Sequence, residues 1–148
     1  MNIKGIYANG EESWRSLNYP VVSDSTGELG VLEFGKELEF VVKRVFYLRN
    51  IENNAVRGEH SHKDLKQLIV CLNGEFTIEL DNNCDKYIKR MKPDGECLFV
   101  DGRVWREMRG FTEDAVVMVL CDREYRYDDV IRDYSQFLKN LDDVNNVL

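Results

Sequence analysis

Residues 67–80 have the sequence Gln-Leu-Ile-Val-Cys-Leu-Asn-Gly-Glu-Phe-Thr-Ile-Glu-Leu, and this stretch decides the fold class. Gln67 to Leu72 is a short apolar run, and Glu75 to Leu80 alternates polar with apolar residues, as β-strands do. The Asn73-Gly74 pair between them suits the positive φ angles of a type I′ turn. We therefore predict a β-hairpin here.

Similar short runs, separated by turn residues such as Asp24-Ser25-Thr26-Gly27 and Lys92-Pro93-Asp94-Gly95, extend on both sides of this stretch. So many short strands favour an antiparallel sandwich or closed barrel, because both leave few exposed edges, and a jelly roll fits their number. The predicted strands are Gly30 to Phe34, Phe40 to Leu48, Gln67 to Leu72, Glu75 to Leu80, Lys86 to Met91, Glu96 to Val100, Val104 to Met108 and Ala115 to Leu120.

The end of the sequence has a different periodicity. Apolar and aromatic residues recur there at three- and four-residue spacing, which indicates one face of an amphipathic helix. They are Tyr127, Val130, Ile131, Tyr134, Phe137, Leu138 and Leu141. We predict a C-terminal helix packed on the barrel.

Composition limits the classes of function. A chain of 148 residues with 43% hydrophobic content is expected to form one domain, residues 1–148. It begins without a signal peptide, and its apolar runs are too short to span a bilayer, so we expect a soluble cytoplasmic protein. The four cysteines are far apart and are expected to be reduced thiols. A net charge of -7 argues against nucleic acid or anionic membranes as partners.

The two histidines of the chain lie two residues apart in Arg57-Gly58-Glu59-His60-Ser61-His62. If this segment is a strand, both imidazoles lie on one face and can act on one ligand. The alternative is a pair of surface histidines without a function.

In cupins that bind a transition metal, such a pair is followed by an acidic residue and, later in the chain, by a third histidine. Here Gln67 and Arg106 occupy the positions where those ligands are expected. A guanidinium stays protonated and has no lone pair to donate, so we predict that no metal is bound.

Two histidines near arginines suit proton transfer beside a carbonyl group, because imidazole titrates near neutrality. Arg106 is a candidate to stabilise the resulting enediolate. No organic cofactor is required, and the sequence contains no phosphate-binding glycine loop. Arg57 and Arg44 are candidates for holding a diphosphate, although Lys43-Arg44 can equally be solvated charge on a strand. Tyr47 and Trp105 either line the mouth of the site or belong to the core.

Four segments together resemble the dTDP-4-keto-6-deoxyglucose 3,4-ketoisomerases, and the similarity runs from about Asp24 to Tyr134. They are Lys43-Arg44-Val45-Phe46-Tyr47, the segment with both histidines, Gln67 to Gly74, and Val104-Trp105-Arg106-Glu107-Met108. The resemblance implies an all-β cupin double-stranded β-helix, or jelly roll, with a C-terminal helix, and a homodimer. It also implies a place between a sugar dehydratase and a pyridoxal-phosphate aminotransferase, in supplying 3-amino-3,6-dideoxyhexoses for surface glycans such as lipopolysaccharide.

The same resemblance implies the roles of individual residues. His60 and His62 are the catalytic pair beside carbons 3 and 4 of the sugar, with His60 the first choice as base. Together with the candidates from the residues themselves, the proposed substrate-binding residues are Thr26, Arg44, Tyr47, Arg57, Gln67 and Arg106. Arg106, where some members of the family carry His, favours a gluco-configured product over a galacto one. The residue that matches Thr26 is commonly Arg or Tyr in the family, so Thr26 indicates neither product.

Three other functions are alternatives. A dTDP-sugar 3,5-epimerase uses the same enolisation and differs in the carbon that is reprotonated. A non-catalytic sugar-binding cupin would bind the ligand unchanged. A metal-dependent dioxygenase is disfavoured by Gln67 and Arg106.

Overall fold

The computed structural model describes residues 3–35 and 40–145, and within these ranges the chain forms thirteen strands, a 3-10 turn and one α-helix. The strands are β1 (Lys4–Ile6), β2 (Glu12–Asn18), β3 (Val21–Asp24), β4 (Gly27–Gly30), β5 (Arg44–Leu48), β6 (Arg57–His62), β7 (Lys66–Asn73), β8 (Phe76–Asp81), β9 (Lys86–Met91), β10 (Glu96–Asp101), β11 (Trp105–Arg109), β12 (Val116–Cys121) and β13 (Val130–Ile131). The 3-10 turn is Tyr127–Asp129 and the helix α1 is Tyr134–Asn145.

Two antiparallel sheets enclose the core. One has the strand order β1-β2-β10-β7-β12-β5 and the other β13-β6-β11-β8-β9, while β3 and β4 form a separate two-stranded hairpin. Alternate side chains of both larger sheets meet in one apolar cluster, in which Ile69, Ile78, Leu98 and Val117 are fully or almost fully buried. The predictions of a double-sheet antiparallel fold and a C-terminal helix are confirmed.

The predicted hairpin of residues 67–80 is wrong, because β7 and β8 lie in different sheets. Gly74 has a φ of +64°, but Asn73 has no positive φ, so the pair does not form a type I′ turn. The segment instead crosses between the sheets, where the amide of Glu75 donates to Thr112 Oγ1. In the centre of its own sheet, β7 pairs with β10 and β12, and its Leu68 to Cys71 are buried on both faces.

The N-terminal part of the fold also differs from prediction. Strands β1 to β4 lie where the sequence analysis predicts no strand, and the predicted strand Gly30 to Phe34 is wrong, since β4 ends at Gly30. Of the predicted strand Phe40 to Leu48, only Arg44–Leu48 is a strand. Residues 3–18 and 21–30 lack the long apolar runs on which strand prediction depends.

The C-terminal helix begins later than its apolar pattern suggests. Tyr127 lies in the 3-10 turn, and Val130 and Ile131 pair with β6 as β13. The helix starts after Asp133, whose carboxylate accepts hydrogen bonds from the amide and hydroxyl of Ser135. Phe137 and Leu141 are fully buried against the five-stranded sheet. In the described residues, no helix is long and apolar enough to cross a membrane.

Candidate active site

A bulge in β6 sets the direction of the two histidines. His60 is opposite Arg106 on β11, but the next residue of β11 is opposite Gly58, so Glu59 is the extra residue. Gly58 and Glu59 have φ angles of +86° and +53°. A Cβ on Gly58 would lie 2.9 Å from the carbonyl oxygen of Arg106, which explains why this position requires glycine.

Beyond the bulge, His60 and His62 lie on the same face of β6, as the period of two predicts. Their Nε2 atoms are 3.1 Å apart, and the ring planes are perpendicular. His62 is 6% exposed and His60 is half-buried. The pair is therefore a single unit in which His60 is the more accessible ring.

The other ring nitrogen of each histidine faces an acceptor. His60 Nδ1 lies 2.9 Å from the carbonyl oxygen of Gly58, and His62 Nδ1 lies 2.8 Å from Asp129 Oδ2. An acceptor of either kind is satisfied only by an N–H group, so both Nδ1 atoms carry hydrogen. In the neutral pair, both Nε2 atoms are then unprotonated and face one another.

The surroundings favour that neutral state. Burial, followed by the positive charge of Arg106, lowers the pKa of His60 to about 4 and the pKa of His62 to about 2. Both imidazoles are therefore bases at neutral pH. A proton accepted by one Nε2 lies within hydrogen-bond distance of the other.

Arg106 is 2% exposed and lies beside the histidines, directly opposite His60 on the neighbouring strand. Its Nη1 donates to Gln67 Oε1, and its Nη2 donates to the carbonyl oxygens of Asp101, Gly102 and Val104 at 3.0–3.1 Å. Burial lowers the pKa of Arg106 to about 10, which still leaves a positive charge at neutral pH. Its Nε–H has no hydrogen-bond partner within the described part of the chain.

The opposite sheet contributes Arg44 and Gln67, which flank Cys121 on adjacent strands. Cys121 Sγ accepts from Arg44 Nη2 and from Gln67 Nε2, each at 3.5 Å. The Arg44 guanidinium also lies 5.5 Å from the centre of the Tyr125 ring. Through Gln67, which bonds both Cys121 and Arg106, the two sheets form one polar cluster with the histidines.

The remaining predicted residues lie outside this cluster. Arg57 is exposed at the start of β6, and Tyr47 is 61% exposed on the outward face of β5. Thr26 is exposed in the turn between β3 and β4, where its amide and hydroxyl donate to Asp24 Oδ1. Trp105 packs on Tyr134 and Phe137 of α1, so its position is part of the core rather than the mouth of the site.

Asp129 and Cys121 belong to the site although no motif in the sequence points to either of them. Asp129 is 67 residues from His62, and no local motif connects the two. Cys121 is predicted only to be a reduced thiol, yet it borders Arg44 and Gln67. Over residues 3–35 and 40–145, no group of three His, Cys, Asp or Glu side chains is arranged to hold a metal ion. Catalysis without a metal stays a prediction.

Comparison with known proteins identifies the family. The family model described as FdtA: WxcM-like, C-terminal, matches residues 12–142. The chain belongs to the FdtA family. A curated relative, the TDP-4-oxo-6-deoxy-alpha-D-glucose-3,4-oxoisomerase of Aneurinibacillus thermoaerophilus, is 37% identical over 131 residues, which cover 87% of this chain and 93% of the relative.

Solved structures of the family share the fold. A mutant of the 3,4-ketoisomerase QdtA from Thermoanaerobacterium thermosaccharolyticum, in complex with TDP-4-keto-6-deoxyglucose, superposes with a TM-score of 0.83 at 30% identity, over 88% of this chain and 95% of that one. The TDP-quinovose 3,4-ketoisomerase WlaRB of Campylobacter jejuni has a TM-score of 0.79 at 32% identity, over 85% and 97% of the two chains. The predictions of a cupin-like fold and a sugar 3,4-ketoisomerase are confirmed, and this FdtA-family chain is an isomerase.

Proposed function

We propose that this chain converts TDP-4-keto-6-deoxyglucose into its 3-keto isomer, with His60 and His62 as the catalytic pair and without a metal or organic cofactor. The observation that carries the proposal is the 3.1 Å separation of the two Nε2 atoms. The Nδ1 atom of each ring already donates a hydrogen bond to an acceptor of the protein. The FdtA-family relatives that act on or bind this keto sugar support the choice of substrate.

The reaction moves one hydrogen from C3 to C4 and one from O3 to O4, and it consumes no oxidant. His60 Nε2 removes the hydrogen on C3 as a proton, and the electron pair of the C–H bond becomes part of a C3–C4 enediolate. The proton of the O3 hydroxyl passes to O4. The proton held between the two Nε2 atoms then bonds to C4, the C3 carbonyl forms, and both histidines are neutral again.

Charged groups around the pair suit the enediolate and the diphosphate. Arg106 and Arg44 each keep a buried Nε–H without a partner among the described residues, and such donors are available to substrate oxygens. Arg57 is exposed at the start of β6 and Tyr47 on the outward face of β5, and contact of either side chain with the nucleotide diphosphate stays a prediction. Gln67 holds the Arg106 guanidinium in place. A role for Thr26 beside the sugar stays a prediction.

The gluco configuration is the product that we favour, because of Arg106 and because a relative at 32% identity is named a TDP-quinovose 3,4-ketoisomerase. In a gluco product, H4 and H5 are both axial and couple strongly in the proton NMR spectrum. A weak H4–H5 coupling in the product would instead indicate the galacto isomer.

A homodimer and a cytoplasmic location complete the proposal. The β3–β4 hairpin pairs with no other strand in the described residues, and Val22 and Leu29 on it are 60% and 63% exposed. A second copy of the chain is the partner expected to cover them. A nucleotide-linked sugar substrate fits the cytoplasm.

The deciding experiment incubates the protein with TDP-4-keto-6-deoxyglucose in deuterated buffer and follows the sugar by NMR. We expect the carbonyl to move to C3, and His60→Asn to lower kcat by about 10²–10⁴-fold while TDP binding changes little. Deuterium at C3 and C5 with the ketone still at C4 would indicate a 3,5-epimerase. An unchanged sugar, bound equally by both proteins, would indicate a binding protein.

A further inference from the structure

Asp129 is placed to control the state of His62. Its Oδ2 lies 2.8 Å from His62 Nδ1, on the side of the ring opposite His60. The side chains of His62 and Asp129 are only 8% and 14% exposed, so this hydrogen bond is largely shielded from water. The carboxylate is therefore a strong acceptor for a ring N–H.

The backbone fixes the position of this carboxylate. Asp129 Oδ1 accepts from the amide of Asp64 at 3.0 Å, and the carbonyl oxygen of Asp129 accepts from the amide of Lys63 at 2.9 Å. The next residue, Val130, pairs with His62 itself through β13. The turn after β6 and the 3-10 turn thus hold the carboxylate against the imidazole.

We propose that Asp129 is a positioning residue that keeps His62 in the Nδ1–H tautomer, so that its bare Nε2 faces His60; this inference rests on the function proposed above. In the other neutral tautomer, His62 Nε2–H would donate to His60 Nε2 across the 3.1 Å gap. That hydrogen bond would occupy the lone pair that has to accept the C3 proton. Asp129 keeps the base free.

The same contact matters after proton transfer. The imidazolium formed at the pair is faced by three cationic side chains, Arg106, Arg44 and Arg132, and by Asp129. Among the described residues, Asp129 is the anion in direct hydrogen-bond contact with it, through the Nδ1–H that is present in both protonation states. No change of partner is needed during the reaction, which keeps the ring fixed.

Asp129→Asn tests the proposal, with Asp128→Asn as the matched control. Asp128 lies in the same turn with an exposed side chain, so its substitution removes the same charge without touching His62. The asparagine has one carbonyl oxygen for two donors, the Asp64 amide and His62 Nδ1–H. If the oxygen stays on the Asp64 amide, the NH₂ group faces Nδ1 and favours the Nε2–H tautomer.

Nitrogen-15 NMR of histidine-labelled protein at pH 7.5 reports the tautomers directly, and His60→Asn assigns the two rings. We expect Nδ1–H for His62 in the wild type and in Asp128→Asn, and Nε2–H in Asp129→Asn. In Asp129→Asn, kcat should fall by about 10²–10⁴-fold with TDP affinity changed less than about threefold. Asp129→Glu, which retains a carboxylate, should restore part of kcat.

An Nε2–H tautomer of His62 in the wild type would overturn the proposal even if no variant folded. A kcat of Asp129→Asn within threefold of the wild type would also overturn it. The tautomer measurement needs no substrate, so it decides this inference even if the wild type fails to isomerise the sugar, an outcome that counts against the proposed function alone.

Discussion

At the scale of single residues, Arg106 is the side chain whose replacement should cost most stability. Lysine cannot reproduce a planar guanidinium that bonds Gln67 and three backbone carbonyls at once, so Arg106→Lys leaves buried acceptors unsatisfied. We expect the free energy of unfolding in urea to fall by about 2–4 kcal/mol. The control Arg109→Lys affects a surface ion pair and should cost less than about 1 kcal/mol. Equal losses in the two variants would contradict this account.

The histidines should make stability depend on pH. The unfolded chain binds protons on both rings as the pH falls through about 6.5, while burial keeps the folded pKa values lower, at about 4 for His60 and about 2 for His62. The stability that comes from keeping both rings neutral is therefore fully present above pH 6.5 and is lost as the pH falls towards the folded pKa values. For each ring, the free energy of unfolding falls by about 1.4 kcal/mol per pH unit over that range.

Urea unfolding at pH 7.5, 6.5, 5.5 and 4.5 measures this dependence, and the carboxylates that also titrate are present in every variant. The His60→Asn variant should show a shallower loss of stability between pH 6 and pH 4.5 than the wild type. If the two proteins lost stability equally over this interval, the low pKa of His60 would be disproved.

The pairing of His60 with His62 was predictable from sequence, because the chain has only two histidines and a strand places residues i and i+2 on one face. Asp129 was not predictable, since the contact with His62 depends on how β13 returns to β6. Tyr47 and Arg44 show the limit of pattern alone. Their positions on β5 fix them to opposite faces, but only the packing of the sheets determines which face is interior.

At the scale of elements, the β6 bulge links the backbone to the chemistry. Gly58→Ala places a Cβ 2.9 Å from the Arg106 carbonyl at a φ of +86°, so we expect a loss of about 1–3 kcal/mol and a lower kcat because His60 is displaced. Glu59 has a φ of +53°, and Glu59→Gly should gain up to about 1 kcal/mol with kcat retained. Thermal unfolding and steady-state kinetics of the two variants check this. Similar behaviour of both variants would refute the role of the bulge.

Element prediction succeeded where alternation and turn residues agreed, as for β9 and β10, which coincide with their predicted runs to within one residue. It failed at Asn73-Gly74, where a sequence typical of a hairpin turn connects two sheets. A local turn signal contains no information on the partner of a strand. The burial of Leu68 and Val70 on the second face of β7, which marks a central strand, comes from packing by distant segments.

At the scale of the whole molecule, the site exists only where the sheets meet. β6 and β11 supply His60, His62 and Arg106, while β5 and β7 of the other sheet supply Arg44 and Gln67. The sheets stay together through the shared apolar core, so a loosened core should affect kcat before the chain unfolds globally. The polar cluster therefore depends on the pairing of strands that are far apart in the sequence, and no single motif encodes it.

The β3–β4 hairpin pairs with no other strand in the part of the chain that the structure describes, and it carries the last prediction. We expect the wild type to have about twice the 17.3 kDa chain mass in light scattering after size exclusion. The double variant Val22→Asp, Leu29→Asp places charges on the exposed apolar surface of the hairpin and should be monomeric. Ile88→Asp, at a 60% exposed position on β9, is the control and should stay dimeric. A monomeric wild type, or a hairpin variant that remains dimeric, would show that the hairpin does not bind a second copy.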